Sequence, residues 1–130
     1  MTPPKKAAAS RRFPAQVQHA ITAAQDRKAS EVVVLDLRPA HGFADYFLIC
    51  SGTNPRQIKA ISDSIQEALA EHGIRAAHVE GYEHAGWILL DYFDFIVHIF
   101  SPDARAFYAL ERLWGSAKLM SVPEPAPPTR

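Results

Sequence analysis

The chain has little of what several protein classes require. Its 130 residues include one cysteine, Cys50, which excludes an intrachain disulfide and fits a reducing compartment. The 14 basic residues balance the 14 acidic ones, so net charge gives no general attraction to nucleic acid or to a membrane. No run of about 20 apolar residues is present, and the N-terminus lacks the apolar core of a signal peptide. We therefore expect a soluble protein without a transmembrane helix.

Signatures of metal and phosphate chemistry are also missing. The six histidines form no HxH or HExxH pattern, and no glycine-rich loop follows a strand. His98 lies in the apolar strand FIVHIF, alternating with Ile96 and Phe100, so a half-buried, hydrogen-bonded histidine is favoured over a metal ligand. Asp91 and Asp94 resemble the paired acids that hold magnesium, but acids three apart across a turn do not share a strand face. We expect no catalytic residue, no metal and no cofactor.

Composition divides the chain into three parts. Residues 1–14 carry four basic residues and no acidic one, and residues 117–130 are rich in proline. Both ends are therefore predicted to be disordered tails. The basic end is also faintly typical of an organelle transit peptide or of a tail that touches RNA, and these alternatives stay open. Residues 15–116 are predicted to form one folded domain, which is long enough to bury a core.

Periodicity and turn residues predict eight elements in the order α-β-β-α-β-β-β-α. Helices, indicated by apolar residues three or four apart, are expected at residues 15–28, 55–72 and 101–114. Strands, indicated by short runs rich in Val, Ile and aromatic residues, are expected at residues 31–37, 45–51, 76–82, 87–92 and 93–100. The predicted fold class is α/β of the α+β type, with a five-stranded mixed sheet covered by helices on at least one face. The first two strands should pair antiparallel, and the last two should form a hairpin.

The second helix has the clearest start signal. Asn54 can act as the N-cap, and Pro55 suits the first helical position. Gln57 can reach back as in a capping box. The final helix should open at Ser101, whose hydroxyl can cap it.

The strand at residues 87–92 indicates a contact surface. Alternation places Trp87, Leu89 and Asp91 on one face, and Ile88 and Leu90 on the other. If the second set points toward the helices, the first set faces outward as an exposed apolar patch, and tryptophan is among the strongest hot-spot residues of interfaces. The alternative is that a helix covers this face too.

Four motifs, taken in order and with their spacing, resemble the RsfS/Iojap family of ribosomal silencing factors. They are ADYFLICSGTNPRQIKAI at residues 44–61, EG at residues 80–81, GWILLDYFDFIVHIF at residues 86–100 and RAFYALERLW at residues 105–114. The resemblance covers about residues 15–115. It implies a nucleotidyltransferase-like fold without catalytic activity, a homodimer, and binding to the fourteenth protein of the large ribosomal subunit. By motif position, the implied contact residues are Trp87, Leu89, Asp91 and Tyr108.

The implied function is repression of translation when nutrients are scarce, because a factor at that position blocks association with the small subunit sterically. A further role in large-subunit biogenesis stays open. The acids Glu83, Asp91 and Asp94 around an apolar centre can steer a basic ribosomal protein. We expect a bacterial cytoplasmic location, with an organelle as the alternative, and neither membrane nor specific nucleic-acid binding. Two other hypotheses are a metal-dependent nucleotidyltransferase that uses Asp91 and Asp94, and a purely self-associating module.

Overall fold

The computed structural model describes residues 13–40, 44–108 and 118–123. The helices are α1 (Ala15–Asp26), α2 (Pro55–Ala70) and α3 (Pro102–Tyr108), with a short 3-10 turn at Arg38–Ala40. The strands are β1 (Ser30–Asp36), β2 (Tyr46–Ser51), β3 (His78–Glu80), β4 (Trp87–Asp91), β5 (Phe95–Phe100) and β6 (Lys118–Ser121). The mixed α+β fold and the order of the first eight elements are confirmed. The part of the last helix predicted at residues 109–114 lies outside the described residues.

The six strands form one sheet in the order β3-β4-β5-β2-β1-β6. β1 pairs antiparallel with β2, with Leu35 opposite Phe47, and β4 pairs antiparallel with β5, with Leu89 opposite His98. Both pairings predicted from the sequence are therefore confirmed. β2 runs parallel to β5, and this contact joins the two antiparallel units into a mixed sheet.

Strand β6 corrects two predictions. It raises the strand count from five to six, and it lies within residues 117–130, which the sequence predicts to be disordered. It pairs antiparallel with the outer edge of β1, where Met120 stands opposite Val34 and is buried. Leu119 is exposed, as alternation on an edge strand requires. The predicted N-terminal tail also ends earlier than expected, because Phe13 is buried in the core.

The start of α2 is capped and tied to the end of α1. Asn54 Oδ1 accepts a hydrogen bond from the Gln57 backbone N–H at 2.8 Å, which confirms the predicted N-cap. The Gln57 side chain departs from a capping box, since its Oε1 accepts from the Thr53 backbone N–H at 2.7 Å. Its Nε2 donates to the carbonyl oxygens of Arg27 and Lys28, both at 3.0 Å. One glutamine thus joins two helix ends.

Two hydrophobic clusters lie on opposite faces of the sheet. The first joins α1 and α2 to the sheet and includes Ile21, Ile61, Ile65, Leu48 and Ile99. The second contains the buried residues Leu35, Leu37, Ala44, Phe47, Ile49, Ile96 and Phe100. Ala104 at the start of α3 packs against the second cluster. The alternative that a helix also covers the second face is therefore correct in part.

Cys50 belongs to the first cluster. Its side chain is fully buried, and burial raises the pKa of the thiol to about 12. This burial gives the cysteine a structural role, because so protonated a thiol is a poor nucleophile. No helix in the described ranges is long and apolar enough to cross a membrane.

Candidate partner-binding site

Strand β4 divides its side chains between the two faces of the sheet. Ile88 and Leu90 are fully buried under the helices. Trp87 and Leu89 pack, partly buried, against the second cluster, and Asp91 is also partly exposed. The prediction that Trp87, Leu89 and Asp91 share one face is confirmed. The apolar patch expected on this face is exposed only in part, because Trp87 is half-buried against its neighbours on β5.

The Trp87 indole is held by a cross-strand neighbour. Its Nε1 donates a hydrogen bond to Nδ1 of His98 at 3.0 Å. The indole ring also contacts Phe100, with 5.0 Å between ring centroids. The β4–β5 register explains this arrangement: Trp87 stands opposite Phe100 and Leu89 opposite His98, so His98 is a diagonal neighbour of Trp87 on one face. Sequence alternation placed both residues on faces of their strands, but it did not predict this bond.

His98 is more deeply buried than the sequence predicts. Its exposed fraction is 4%, and the Phe47 ring meets its imidazole edge-on at 4.5 Å between centroids. Burial lowers the pKa of His98 to about 4, so the imidazole is neutral at pH 7. Because Nδ1 accepts from Trp87, Nε2 carries the proton. Nε2 is buried, and within the described residues it has no hydrogen-bond partner.

Asp91 organises the turn that follows β4. Its Oδ1 accepts a hydrogen bond from the backbone N–H of Phe93 at 2.9 Å, an Asx turn. Phe93 lies in this turn with φ of 71°, and its side chain is 71% exposed. Asp94 is exposed. Asp91 thus accepts a backbone hydrogen bond, while Asp94 is solvated.

The segment that contains these side chains carries charge of one sign. Residues 76–104 contain no lysine or arginine but carry five acids: Glu80, Glu83, Asp91, Asp94 and Asp103. All but Asp91 are exposed. The half-buried Trp87 and Leu89 thus lie in a segment whose fully charged side chains are all carboxylates. Such an arrangement of apolar centre and acidic surroundings suits a basic partner surface.

The start of α3 lies next to the second face. Ser101 Oγ accepts from the Ala104 backbone N–H at 3.2 Å, which confirms the predicted cap. Arg105 is buried and donates from Nη1 to Ser51 Oγ at 3.0 Å, so α3 is fixed to the end of β2. Tyr108 is the last described residue of α3, and its side chain lies outside the described residues. The role of Tyr108 as a contact residue stays a prediction.

The described residues contain no group of three or more His, Cys, Asp or Glu side chains arranged to hold a metal ion. Asp91 is instead engaged by the backbone of its own turn. This face presents an apolar centre at Leu89, an indole held by a hydrogen bond and the carboxylate of Asp91.

Comparison with known proteins places the chain in a family. The family model described as ribosomal silencing factor during starvation matches residues 10–130. Ribosomal silencing factor RsfS of Halalkalibacterium halodurans is 44% identical over 106 residues, which covers 82% of this chain and 91% of that relative. RsfS of Bacillus subtilis is 41% identical over 103 residues, covering 79% of this chain and 87% of the relative.

A solved structure shows the same fold. The crystal structure of a Chromobacterium violaceum protein matches with a TM-score of 0.75 and 32% sequence identity, covering 84% of this chain and 92% of that one. The family match spans nearly the whole sequence, and the named relatives match over most of their own length. The chain therefore belongs to the RsfS family of ribosomal silencing factors, a regulatory family rather than a family of enzymes.

Proposed function

We propose that this protein represses translation by binding the large ribosomal subunit and blocking its association with the small subunit sterically. The observation that carries the proposal is the second face of the sheet at β4. There the half-buried Trp87 and Leu89 lie in a segment, residues 76–104, with five acids and no basic residue. Family membership supplies the ribosome as the target.

The proposed partner is the fourteenth protein of the large subunit. Ribosomal proteins are basic, so the acids of β4 and its flanking turns attract and orient such a surface during encounter. The aromatic and aliphatic centre then supplies most of the affinity, since tryptophan truncation is among the most costly changes in interfaces. The proposed contact residues are Trp87, Leu89, Asp91 and Tyr108.

The proposed mechanism is occupancy. No bond is made or broken, so the degree of repression equals the fraction of large subunits that carry the factor. Nutrient scarcity is the proposed condition for repression. A cytoplasmic location and a homodimer belong to the same proposal.

The direct test is co-sedimentation of the purified protein with purified large subunits, followed by a subunit-joining assay monitored by light scattering. We expect wild-type protein to bind and to inhibit joining. Trp87→Ala and Asp91→Lys should each weaken binding by roughly tenfold or more, the scale of a hot-spot residue.

Glu71→Lys is the matched control for Asp91→Lys. Glu71 is exposed at the end of α2, on the opposite side of the sheet, and its reversal changes net charge by the same amount. It should bind like wild type apart from a small loss of steering. The proposal is wrong if wild-type protein does not sediment with large subunits, or if both β4 variants bind as well as wild type.

A further inference from the structure

His98 occupies a position where stability alone favours another residue. Its neighbours on the second face are apolar or aromatic, and only one of its two ring nitrogens has a partner among the described residues. A buried donor without an acceptor costs stability, whereas an apolar side chain of similar size has no such cost. Packing of the second cluster therefore does not explain a histidine at this point.

The hydrogen bond to Trp87 does explain it. At 3.0 Å, Nδ1 of His98 accepts the only proton that the indole can donate. When a partner covers the face and excludes water, an indole N–H without this acceptor would be desolvated and unpaired. His98 supplies an acceptor from inside the protein, so the indole needs none from the partner.

The same bond restricts the motion of the indole. Trp87 is half-buried, with its ring against Phe100 and its N–H on His98. A side chain that is already held in one rotamer loses little conformational entropy on binding, and such preorganisation raises affinity without any new contact.

We propose that His98 is a positioning residue of the partner-binding face, which holds the Trp87 indole in its binding orientation and satisfies its N–H inside the interface. This inference rests on the proposed function insofar as Trp87 is a contact residue. His98 itself, being buried, acts through Trp87 and not by touching the partner.

The test uses two substitutions of nearly equal size. Asn at position 98 can place an amide oxygen close to the position of imidazole Nδ1, whereas Leu fills the same space without an acceptor. We expect His98→Leu to weaken large-subunit binding by roughly fivefold to tenfold, and His98→Asn to stay within about twofold of wild type. Trp87→Phe, which lacks the donor, should weaken binding too, and the loss from His98→Leu should largely disappear in the Trp87→Phe background.

A second measurement needs no ribosome. Hydrogen exchange of the Trp87 indole N–H, followed by NMR of the free protein, should be slow in wild type and in His98→Asn, and at least about tenfold faster in His98→Leu. A purely structural role for His98 predicts instead that His98→Leu binds like wild type once folded.

Failure of this inference is distinguishable from failure of the proposed function. If wild-type protein does not bind large subunits, the proposed function is wrong, while the exchange comparison still decides whether His98 fixes the indole. The positioning role is overturned if wild-type protein and His98→Leu bind large subunits equally well. It is also overturned if the Trp87 indole N–H exchanges as slowly in His98→Leu as in wild type. If His98→Leu does not fold, His98→Asn is compared with wild type alone. A folded His98→Asn that loses both large-subunit affinity and protection of the indole N–H from exchange overturns the positioning role.

Discussion

Burial of His98 makes the stability of the fold depend on pH in a defined window. The pKa of this histidine falls from 6.5 to about 4 in the folded protein, with burial as the cause. Between these two values the unfolded chain binds more protons than the folded one, so the free energy of unfolding decreases as pH falls. The contribution of the neutral histidine is fully present above pH 6.5 and is lost as pH drops toward 4.

The size of the effect follows from the same two values. One pKa unit corresponds to about 1.4 kcal/mol, so the full loss is roughly 3 kcal/mol, and about 2 kcal/mol of it is reached by pH 4.5. This is a large share of the total stability of a domain of this size. The loss of about 2 kcal/mol at pH 4.5 corresponds to a decrease of roughly 1.5 M in the urea midpoint.

The assay is urea unfolding of wild type and His98→Leu at pH 7 and at pH 4.5. Other groups titrate in both proteins, so the difference between them isolates His98. We expect the free energy of unfolding of wild type, relative to that of His98→Leu, to be about 2 kcal/mol lower at pH 4.5 than at pH 7. His84→Leu, the same substitution at an exposed position, is the control for the change of residue type. A stability difference that is the same at both pH values would refute the conclusion that His98 is buried as a neutral imidazole.

Three further predictions concern the scaffold. Asn54→Ala removes the cap of α2 and should cost about 1 kcal/mol, or roughly 5 °C in Tm by thermal unfolding; an unchanged Tm would contradict the cap. Gly81 has φ of 81°, and a β-carbon there would overlap the carbonyl oxygen of Trp87, so Gly81→Ala should cost about 2 kcal/mol or more. Gly86→Ala is its control, since no described residue lies within 4 Å of an added β-carbon there. Equal losses in both variants would count against the close approach at Gly81. Cys50 should resist iodoacetamide at pH 8 in the native state and react in denaturant; modification of the folded protein would contradict its burial.

Local features were predictable from the sequence because their causes are local. The cap at Asn54 depends on residues three apart, and the split of β4 into two faces depends on the period of two. These rules also place Trp87 and Asp91 on the face that carries the candidate site. They state which face a side chain points to, and nothing about its neighbours on that face.

The contact between Trp87 and His98 was not predictable for that reason. It depends on the β4–β5 register, which the turn between the strands sets, and that turn contains Phe93 with a positive φ that sequence patterns assign to glycine. Without the register, half-burial of the indole could not be distinguished from full exposure.

Strand β6 was not predicted, for a different reason. Its four residues are too few for alternation to stand out, and they precede a proline-rich segment. What makes them a strand is the open edge of β1, which lies far away in the sequence.

The pairing of β6 with β1 has a consequence for the order in which the chain folds. Val34 on β1 has its β2 partner Leu48 within the next stretch of chain, but Met120 completes its other side only after nearly the whole domain has been synthesised. At ribosomal elongation rates of about 5 to 20 residues per second, the outer edge of β1 stays open for roughly 4 to 17 s. During that interval the nascent chain exposes unpaired backbone N–H and C=O groups that another strand can pair with, so expression yield should be sensitive to changes within β6.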